Sequence, residues 1–351
     1  MSTTTESPSR VRITGVGAEI PPQVITTAEV EERAGLRDRF GLEAGWLERV
    51  TGVRERRWAP PEVQPSELAA LAAWKALGDA GLDPPDVDTL VFAGITRDYL
   101  EPATANLVAD AVGARHARVF DLINACNGLI DAVDIGDSLI RSGKARRVLV
   151  ATGERASLAI NWQARTFEEL LESVASLVVG DGGGAVVLEA TDDPRRGVRE
   201  REFRSDPTQW RHAVAGRFRP ATQACELCGG ILDFAFRCNS RALLAAALRL
   251  LYPAMEVVME RTGWRYEDVD VVFCHQPTKR FVESAVALLD DGAAAARKLW
   301  NTVERYGNMS TCSLPLAMAE ARAAGTLVPG TKVLLLAPSS GVSAAAMTMV
   351  W

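Results

Sequence analysis

Short, continuous apolar runs alternate with longer helical stretches along this chain, and that alternation constrains the fold more than any other feature. Residues 88–94 (DTLVFAG) read as a strand after a helix near 66–81, and 117–123 (ARVFDLI) as a second strand. A helix near 127–142 follows, then strands at 146–152 (RRVLVAT) and 184–190 (GAVVLEA). The second half repeats the grammar: a long helix over 240–262, strand 269–274, helix 279–290, helix 313–324, strand 332–337 and a final strand 344–351. Runs of Val and Leu without polar alternation suit strands covered on both faces, and the helices between them supply the cover. The expected class is therefore α/β. Two stretches, WKALGDAGLDPPDVDTLVFAG and VMERTGWRYEDVDVVFCHQ, share the order helix, short turn, acidic loop, strand, which points to a duplicated αβ unit. The 351 residues suit about two domains. No low-complexity linker divides them, so they are expected to pack as one body.

Charge and composition exclude several functions. A 48% hydrophobic, 24% charged chain is not a disordered one. The net charge of −6 carries no basic excess of the kind nucleic-acid binding demands. Only five of the 39 basic residues are lysines, so 34 are arginines, a bias that reads mainly as a GC-rich genome. The polar start MSTTTESPSR lacks a secretory apolar region. The apolar stretch 242–259 is broken by Arg249, Pro253 and Glu256, against a membrane span. The reading is a cytoplasmic protein whose six cysteines are thiols. Cys225 and Cys228 (ACELCGG) would need Cys238 and His212 to complete a zinc set, and no metal is expected.

Three residues stand where chemistry is done in α/β folds. Cys126, in FDLINACNGLIDAVDIGDSLI, falls where a strand turns sharply into a helix. Leu129, Ala132, Val133, Gly136, Leu139 and Ile140 form the apolar face of that helix. Unpaired N–H groups and the positive dipole end at its start are expected to favour thiolate over thiol. The bland alternative is a small buried core cysteine. His275, in VDVVFCHQPTKRF, lies where a strand ends, and Asn308 lies in the turn YGNMST. A lone histidine is usually structural, and a Gly-Asn pair usually just turns the chain. Together the three suit thiolate attack on an activated carbonyl, with two neutral donors for a developing oxyanion. The glycine-rich segments VVGDGGGAVVLE and APSSGVSAAA have neither the dinucleotide-binding order nor a P-loop.

The segments TGVRERRW (51–58), NACNG (124–128), VGDGGGAVVL (179–188), HQPT (275–278) and YGNMST (306–311), with the closing Gly-containing turn, resemble the thiolase superfamily, most of all its ketoacyl-acyl-carrier-protein synthase III branch. The resemblance spans about residue 11 to 351. It implies a thiolase-like five-layer αβαβα fold from two pseudo-symmetric halves, 11–190 with the nucleophile Cys126 and 191–351 with His275 and Asn308. It implies a homodimer, substrates that are thioesters of coenzyme A or of the phosphopantetheine of an acyl carrier protein, and no further cofactor. It makes Cys126 the acyl acceptor, gives His275 and Asn308 the second thioester's carbonyl, and forms an oxyanion hole from the N–H groups of Cys126 and Ser340 beside Gly341. Ser340 departs from the family's usual glycine. Trp46 would stack on adenine, and Arg280 would meet phosphates or the carrier. HQPT departs from the family's HQAN, so Thr278 replaces an asparagine that touches pantetheine. The expected arginine after Trp46 is out of register, with Arg49 one position early. TRDYLEPATANLV (96–108) resembles the branch that joins two acyl thioesters head to head in olefin and β-lactone pathways, which makes Glu101 the α-carbon base reaching across the dimer. A solvated loop carboxylate is the alternative.

The implied reaction is a Claisen condensation to a β-ketoacyl product, in fatty-acid-derived or specialised metabolism. One alternative is acyl transfer to a hydroxyl or amine of a natural-product acceptor. Another is a non-catalytic partner subunit of a heterodimeric condensing enzyme. Residues 155–180 and 203–238 are the expected pocket walls.

Overall fold

Two sheets organise the chain in the computed structural model, which describes residues 10–218, 232–286 and 296–351. The first half lays down β1 (Arg10–Glu19), a small pair β2 (Val24–Thr26) and β3 (Glu55–Arg57), then β4 (Thr89–Phe92), β5 (Arg118–Asp121), β6 (Arg147–Glu154) and β7 (Gly182–Thr191). These make a five-stranded sheet in the order β1-β7-β6-β4-β5. The second half begins with β8 (Gly197–Ser205). Four two-residue strands follow, β9 (Ala213–Val214), β10 (Arg217–Phe218), β11 (Leu232–Asp233) and β12 (Arg237–Cys238). Strands β13 (Val271–Cys274), β14 (Lys332–Ser339) and β15 (Ser343–Val350) then complete a four-stranded sheet ordered β13-β14-β15-β8.

The two orders are the same once β1 is set against β8, β7 against β15, β6 against β14 and β4 against β13. Matched pairs share their sense: β1-β7 and β7-β6, like β8-β15 and β15-β14, are antiparallel, and β6-β4, like β14-β13, is parallel. Among the described residues of the two sheets, β5 alone lacks a full counterpart; a single parallel bridge from Val272 to Leu299 stands in its place. The repeated helix-to-strand segments of the sequence superpose on this plan. Helix α4 (Pro65–Ala80) leads through a short turn to β4, and the 23-residue helix at Ser240–Thr262 leads through another to β13. Both helices end on a left-handed glycine, Gly81 and Gly263.

The other helices are α1 (Thr27–Ala34), α2 (Leu36–Phe40), α3 (Trp46–Thr51), α5 (Thr104–Val112), α6 (Gly128–Arg141), α7 (Phe167–Ser173), α8 (Ser240–Thr262), α9 (Lys279–Val286), α10 (Val303–Tyr306) and α11 (Ser313–Ala323). Five layers result. Alanine-rich α4 and α5 cover the outer face of the first sheet, α6 and α11 lie between the sheets, and α8 covers the second sheet. Leu129, Ile130 and Val133 of α6 and Leu314 and Met318 of α11 are buried among side chains of both sheets. Truncating one of the leucines to alanine costs about 2–5 kcal/mol. The outer layer sits close because the sheet offers bare backbone. A Cβ on Gly183 of β7 would stand 2.0 Å from the Leu68 carbonyl oxygen in α4. Helix α8 is long and apolar enough to cross a membrane by length and composition, but Ala246, Leu251, Ala254 and Val258 are buried, and Leu251, Ala254 and Val258 pack with residues of the second sheet.

The expected strands and helices match these elements within a few residues. The expected helix 279–290 is described only to Val286. Strands β1 and β8 had not been singled out; arginines and glycines interrupt their apolar pattern.

Candidate active site

The nucleophile candidate is carried by a strained turn. After β5 the chain turns through Asn124–Asn127 into α6, and Ala125 takes φ 45°, unusual for a residue with a side chain. Asn124 secures the turn by donating to Asp131 Oδ2 at 2.7 Å, and Asn127 donates to Ser343 Oγ at 2.9 Å in the other half. Cys126 is thereby held facing a cavity of about 540 Å³. Its Sγ lies 3.9 Å from Ser310 Oγ, and its backbone N–H donates to Ser339 Oγ at 3.0 Å.

Burial pushes the Cys126 thiol up to about 12, opposed by hydrogen bonds with Ser310 and Ser339 and reinforced by the nearby Glu154 carboxylate. The expectation that the helix start would favour thiolate is thus corrected. At rest the group is a thiol, because loss of water around a buried anion outweighs the helix-end donors, and one such donor is taken by Ser339. To act as a nucleophile it would have to lose its proton at the moment of attack.

His275 sits one residue beyond β13, and its N–H extends the ladder to Leu336 O at 2.8 Å. The ring is buried, with Nδ1 3.2 Å from Ser313 Oγ at the first turn of α11. Burial pulls its pKa down to about 4, against a partial lift from the Ser310 main chain. The imidazole is therefore neutral at working pH. Asn308 follows Gly307, which adopts φ 66° and ψ −161°, a conformation open essentially to glycine. A Cβ there would also lie 2.2 Å from the Val178 carbonyl oxygen. The closeness lets Asn308 N–H donate to Val178 O at 2.9 Å, while Gly180 N–H donates back to Asn308 O at 2.9 Å. Arg56 of the TGVRERRW segment, fully buried, steadies this strap by donating to Leu177 O at 3.2 Å. The side-chain oxygen of Asn308 accepts from Ser310 N–H at 2.9 Å, which leaves its amide N–H₂ as the donating group.

Cys126, His275, Asn308, Ser340, Gly341 and Thr278 all line the one cavity. Thr278 also caps α9, accepting from Phe281 N–H at 3.0 Å. Residues of both expected walls contribute, among them Ala156 and Val179 from one and Trp210 and Phe236 from the other. The remaining candidates lie elsewhere. Glu101 is exposed on the loop between β4 and α5 and is not a wall residue. Trp46 packs partly buried against the core around Ile25 and Leu47. Arg280 is at the surface, donating to Arg49 O at 3.2 Å and to Glu283 at 2.8 Å, beside a separate cleft of about 460 Å³. Among the described residues no group of three His, Cys, Asp or Glu side chains could hold a metal. Cys225 and Cys228 lie outside the described residues, and His212 pairs with Gln209 at 2.6 Å.

Family models match two stretches: 3-Oxoacyl-[acyl-carrier-protein (ACP)] synthase III over residues 120–207, and its C-terminal model over 259–351. A β-ketoacyl-[acyl-carrier-protein] synthase III of Roseiflexus castenholzii is 32% identical over 342 residues, covering 97% of each chain. This chain belongs to the β-ketoacyl-[acyl-carrier-protein] synthase III family. The synthase III of Solibacter usitatus is 31% identical over 347 residues, 97% of this chain and 99% of that one. Among solved structures, cerulenin-bound OleA of Xanthomonas campestris is similar with a TM-score of 0.86 at 27% identity, covering 97% of each chain. The 3-oxoacyl-[acyl-carrier-protein] synthase III of Aquifex aeolicus gives 0.82 at 29% identity, over 97% of this chain and 100% of that one. The fold is therefore that of the thiolase superfamily, and the protein is an acyltransferase that condenses acyl thioesters.

Four polar residues at this synthase III site had escaped the sequence reading: Ser310, Ser313, Ser339 and Glu154. Glu154, at the end of β6, is buried at the cavity wall. It accepts from Ile95 N–H at 2.9 Å, Thr96 N–H at 3.1 Å and Thr311 Oγ1 at 2.6 Å, and burial raises its pKa. A glutamate or serine at a strand end, or a serine at a helix start, carries no signal of its own; only the place of Ser310 inside YGNMST and of Ser339 beside Ser340 could have drawn attention to them.

Proposed function

We propose that this synthase III takes an acyl group onto Cys126 from an acyl-CoA or acyl-carrier-protein thioester and joins it to a second thioester by Claisen condensation. The thiol attacks the thioester carbonyl, an S–acyl bond forms on Cys126, and the carrier leaves as a thiol with the displaced proton. The second thioester yields a carbanion by decarboxylation or by proton removal at its α-carbon. His275 and the Asn308 amide hold that thioester's carbonyl oxygen as it gains charge, and each such donor is worth a few kcal/mol in a dry site. Attack on acyl-Cys126 breaks its C–S bond and gives the β-ketoacyl thioester; the departing thiolate takes up the proton removed from the α-carbon or, where CO2 has left instead, one from water. Convergence of the three residues on one largely apolar cavity of about 540 Å³ carries this reading.

For the first step the oxyanion sits between the N–H groups of Cys126 and Ser340. Thr278, Trp46 and Arg280 are assigned to the carrier arm and its phosphates. We assign the duplicated units to 11–190 and 191–351, which the matched strand orders support. The protein acts as a cytoplasmic homodimer. Tyr99 at 60% and Leu100 at 64% exposure, next to Glu101, support an interface there, as does the open edge of β5. Glu101 is then the α-carbon base of the partner subunit's site.

Intact-protein mass after incubation with a panel of acyl-CoAs and acyl-carrier proteins tests the first step. One acyl mass should appear on the wild type and none on Cys126→Ala; condensation by Cys126→Ala at near wild-type rate would overturn the reading. Mixing Cys126→Ala with Glu101→Gln subunits should restore activity if the base is shared across a dimer. Product formed as an ester or amide only, with no β-ketoacyl thioester, would mark a transferase to oxygen or nitrogen instead.

A further inference from the structure

We propose a second ligand site, for a small molecule bearing a diphosphate or longer polyphosphate, in a cavity of about 610 Å³ at the end of the second sheet opposite Cys126. The cavity opens between the start of β1, the connector into β8, the C-terminal end of α8, the start of β14 and the end of β15. Strand β14 fixes its distance from the chemistry: Lys332 lines this cavity and Ser339 the catalytic one, about 23 Å apart along seven strand steps.

Six cations line the cavity, Arg10, Arg195, Arg196, Arg199, Arg261 and Lys332, against two carboxylates, Asp193 and Glu200. Asp193 is taken up by Arg195 at 3.0 Å, and Arg261 reaches Glu202 at 3.1 Å. The others have weaker partners. Among the described residues Arg10 donates only to the carbonyls of Pro194 and Val198, each at 3.1 Å, and Arg196 donates Nε to the main-chain oxygen of Trp351 at 3.1 Å. Lys332 stands 4.0 Å from Asp268 and 5.4 Å above the Trp264 ring. The Nε of Arg199 is buried and has no hydrogen-bond partner.

These cations work against one another. Burial and then the charge of Arg10 lower the pKa of Arg199, burial and then Arg12 just outside the cavity lower that of Arg196, and Asp193 only partly opposes both. Such repulsion in a chain of net charge −6 is not a spill-over of basic composition. It is relieved by an anion that several guanidinium forks can grip at once, which phosphate oxygens do bidentately. The cavity exceeds what one phosphate fills, and half-buried Trp264, with Lys332 over its ring, is the aromatic residue at its wall beside which a flat base would lie. Free diphosphate and the diphosphate of a nucleotide share this chemistry.

Titration calorimetry on the full chain with pyrophosphate and with ADP tests the proposal. Saturable one-to-one binding of pyrophosphate is expected, weakening steeply with added salt, and Arg199→Gln or Arg10→Gln should each raise its Kd by about tenfold or more. The rate of Cys126 acylation should stay unchanged in both variants. Tighter binding of ADP than of pyrophosphate, lost in Trp264→Leu, would identify a nucleotide; equal binding would identify the diphosphate alone. Lys332→Gln is the substitute if an arginine variant fails to fold. No saturable binding of either probe, or binding unaltered in Arg199→Gln and Arg10→Gln, would overturn the site.

Discussion

The two halves place the same backbone at the site and put different side chains on it. In the first half Ala125, Cys126 and Asn127 precede α6; in the second Ser310, Thr311 and Cys312 precede α11. Ala125 and Ser310 are the two positive-φ residues other than glycine among the described residues, at φ 45° and 51°. Cys126 of the first turn meets the cavity, whereas its counterpart Thr311 is buried behind it, reaching Thr152 and the wall residue Glu154. The strand ends divide the work the opposite way. Beyond β4 stands Ala93, whose N–H meets Ala151 O at 2.8 Å; beyond β13 stands His275, whose N–H meets Leu336 O at 2.8 Å. On the proposed function the matched halves specialise in opposite corners: the first would give the nucleophile, the second the neutral donors.

The sharpest break of this division is Asn308→Ala. If the second half serves the developing oxyanion, the variant should still take one acyl mass on Cys126 yet condense about 10²–10³-fold more slowly. Single-turnover kinetics separate the steps. Equal slowing of acylation and condensation would show that Asn308 serves the first half's chemistry too.

Burial of His275 makes a second difference between the strand ends measurable through stability. Its folded pKa is about 4, against about 6.5 for an exposed histidine. The unfolded chain therefore binds the proton first as pH falls, so stability declines from about pH 6.5 down to pH 4. The linkage amounts to about 3 kcal/mol over that window. Denaturant midpoints followed across pH 4–7 should show the decline, and His275→Gln should flatten it. An unchanged slope in His275→Gln would mean that other groups carry the acid sensitivity.

Much of this was legible in the sequence, for reasons local to it. Unbroken runs such as VVF and VLLLA can only be doubly covered strands, and Cys126, His275 and Asn308 all follow strand or turn signals within a few residues. What was not legible depends on contacts across the chain. Ser339 is 213 residues from Cys126 and Ser310 is 184 residues away, yet they hold its N–H and thiol. The resting charge of Cys126 was misjudged for the same reason. A helix start is visible in sequence, whereas the walls that strip water from the thiol come from both halves.

The smallest effect tests the contact that joins the halves at the thiol. Ser339 Oγ accepts the Cys126 N–H and lies 3.5 Å from Asn124 O, to which it donates. An acyl oxyanion using that N–H must displace the hydroxyl. A neutral hydrogen bond of this kind is worth about 0.5–1.5 kcal/mol net, so Ser339→Gly should raise kcat/KM for Cys126 acylation by about 2- to 10-fold. Condensation in Asn308→Ala should stay impaired to the same degree when Ser339→Gly is added, because the two changes act on different oxyanions. Slower acylation in Ser339→Gly would show instead that the serine holds the turn in its reactive shape, and the boundary between the halves would then lie inside the catalytic turn itself.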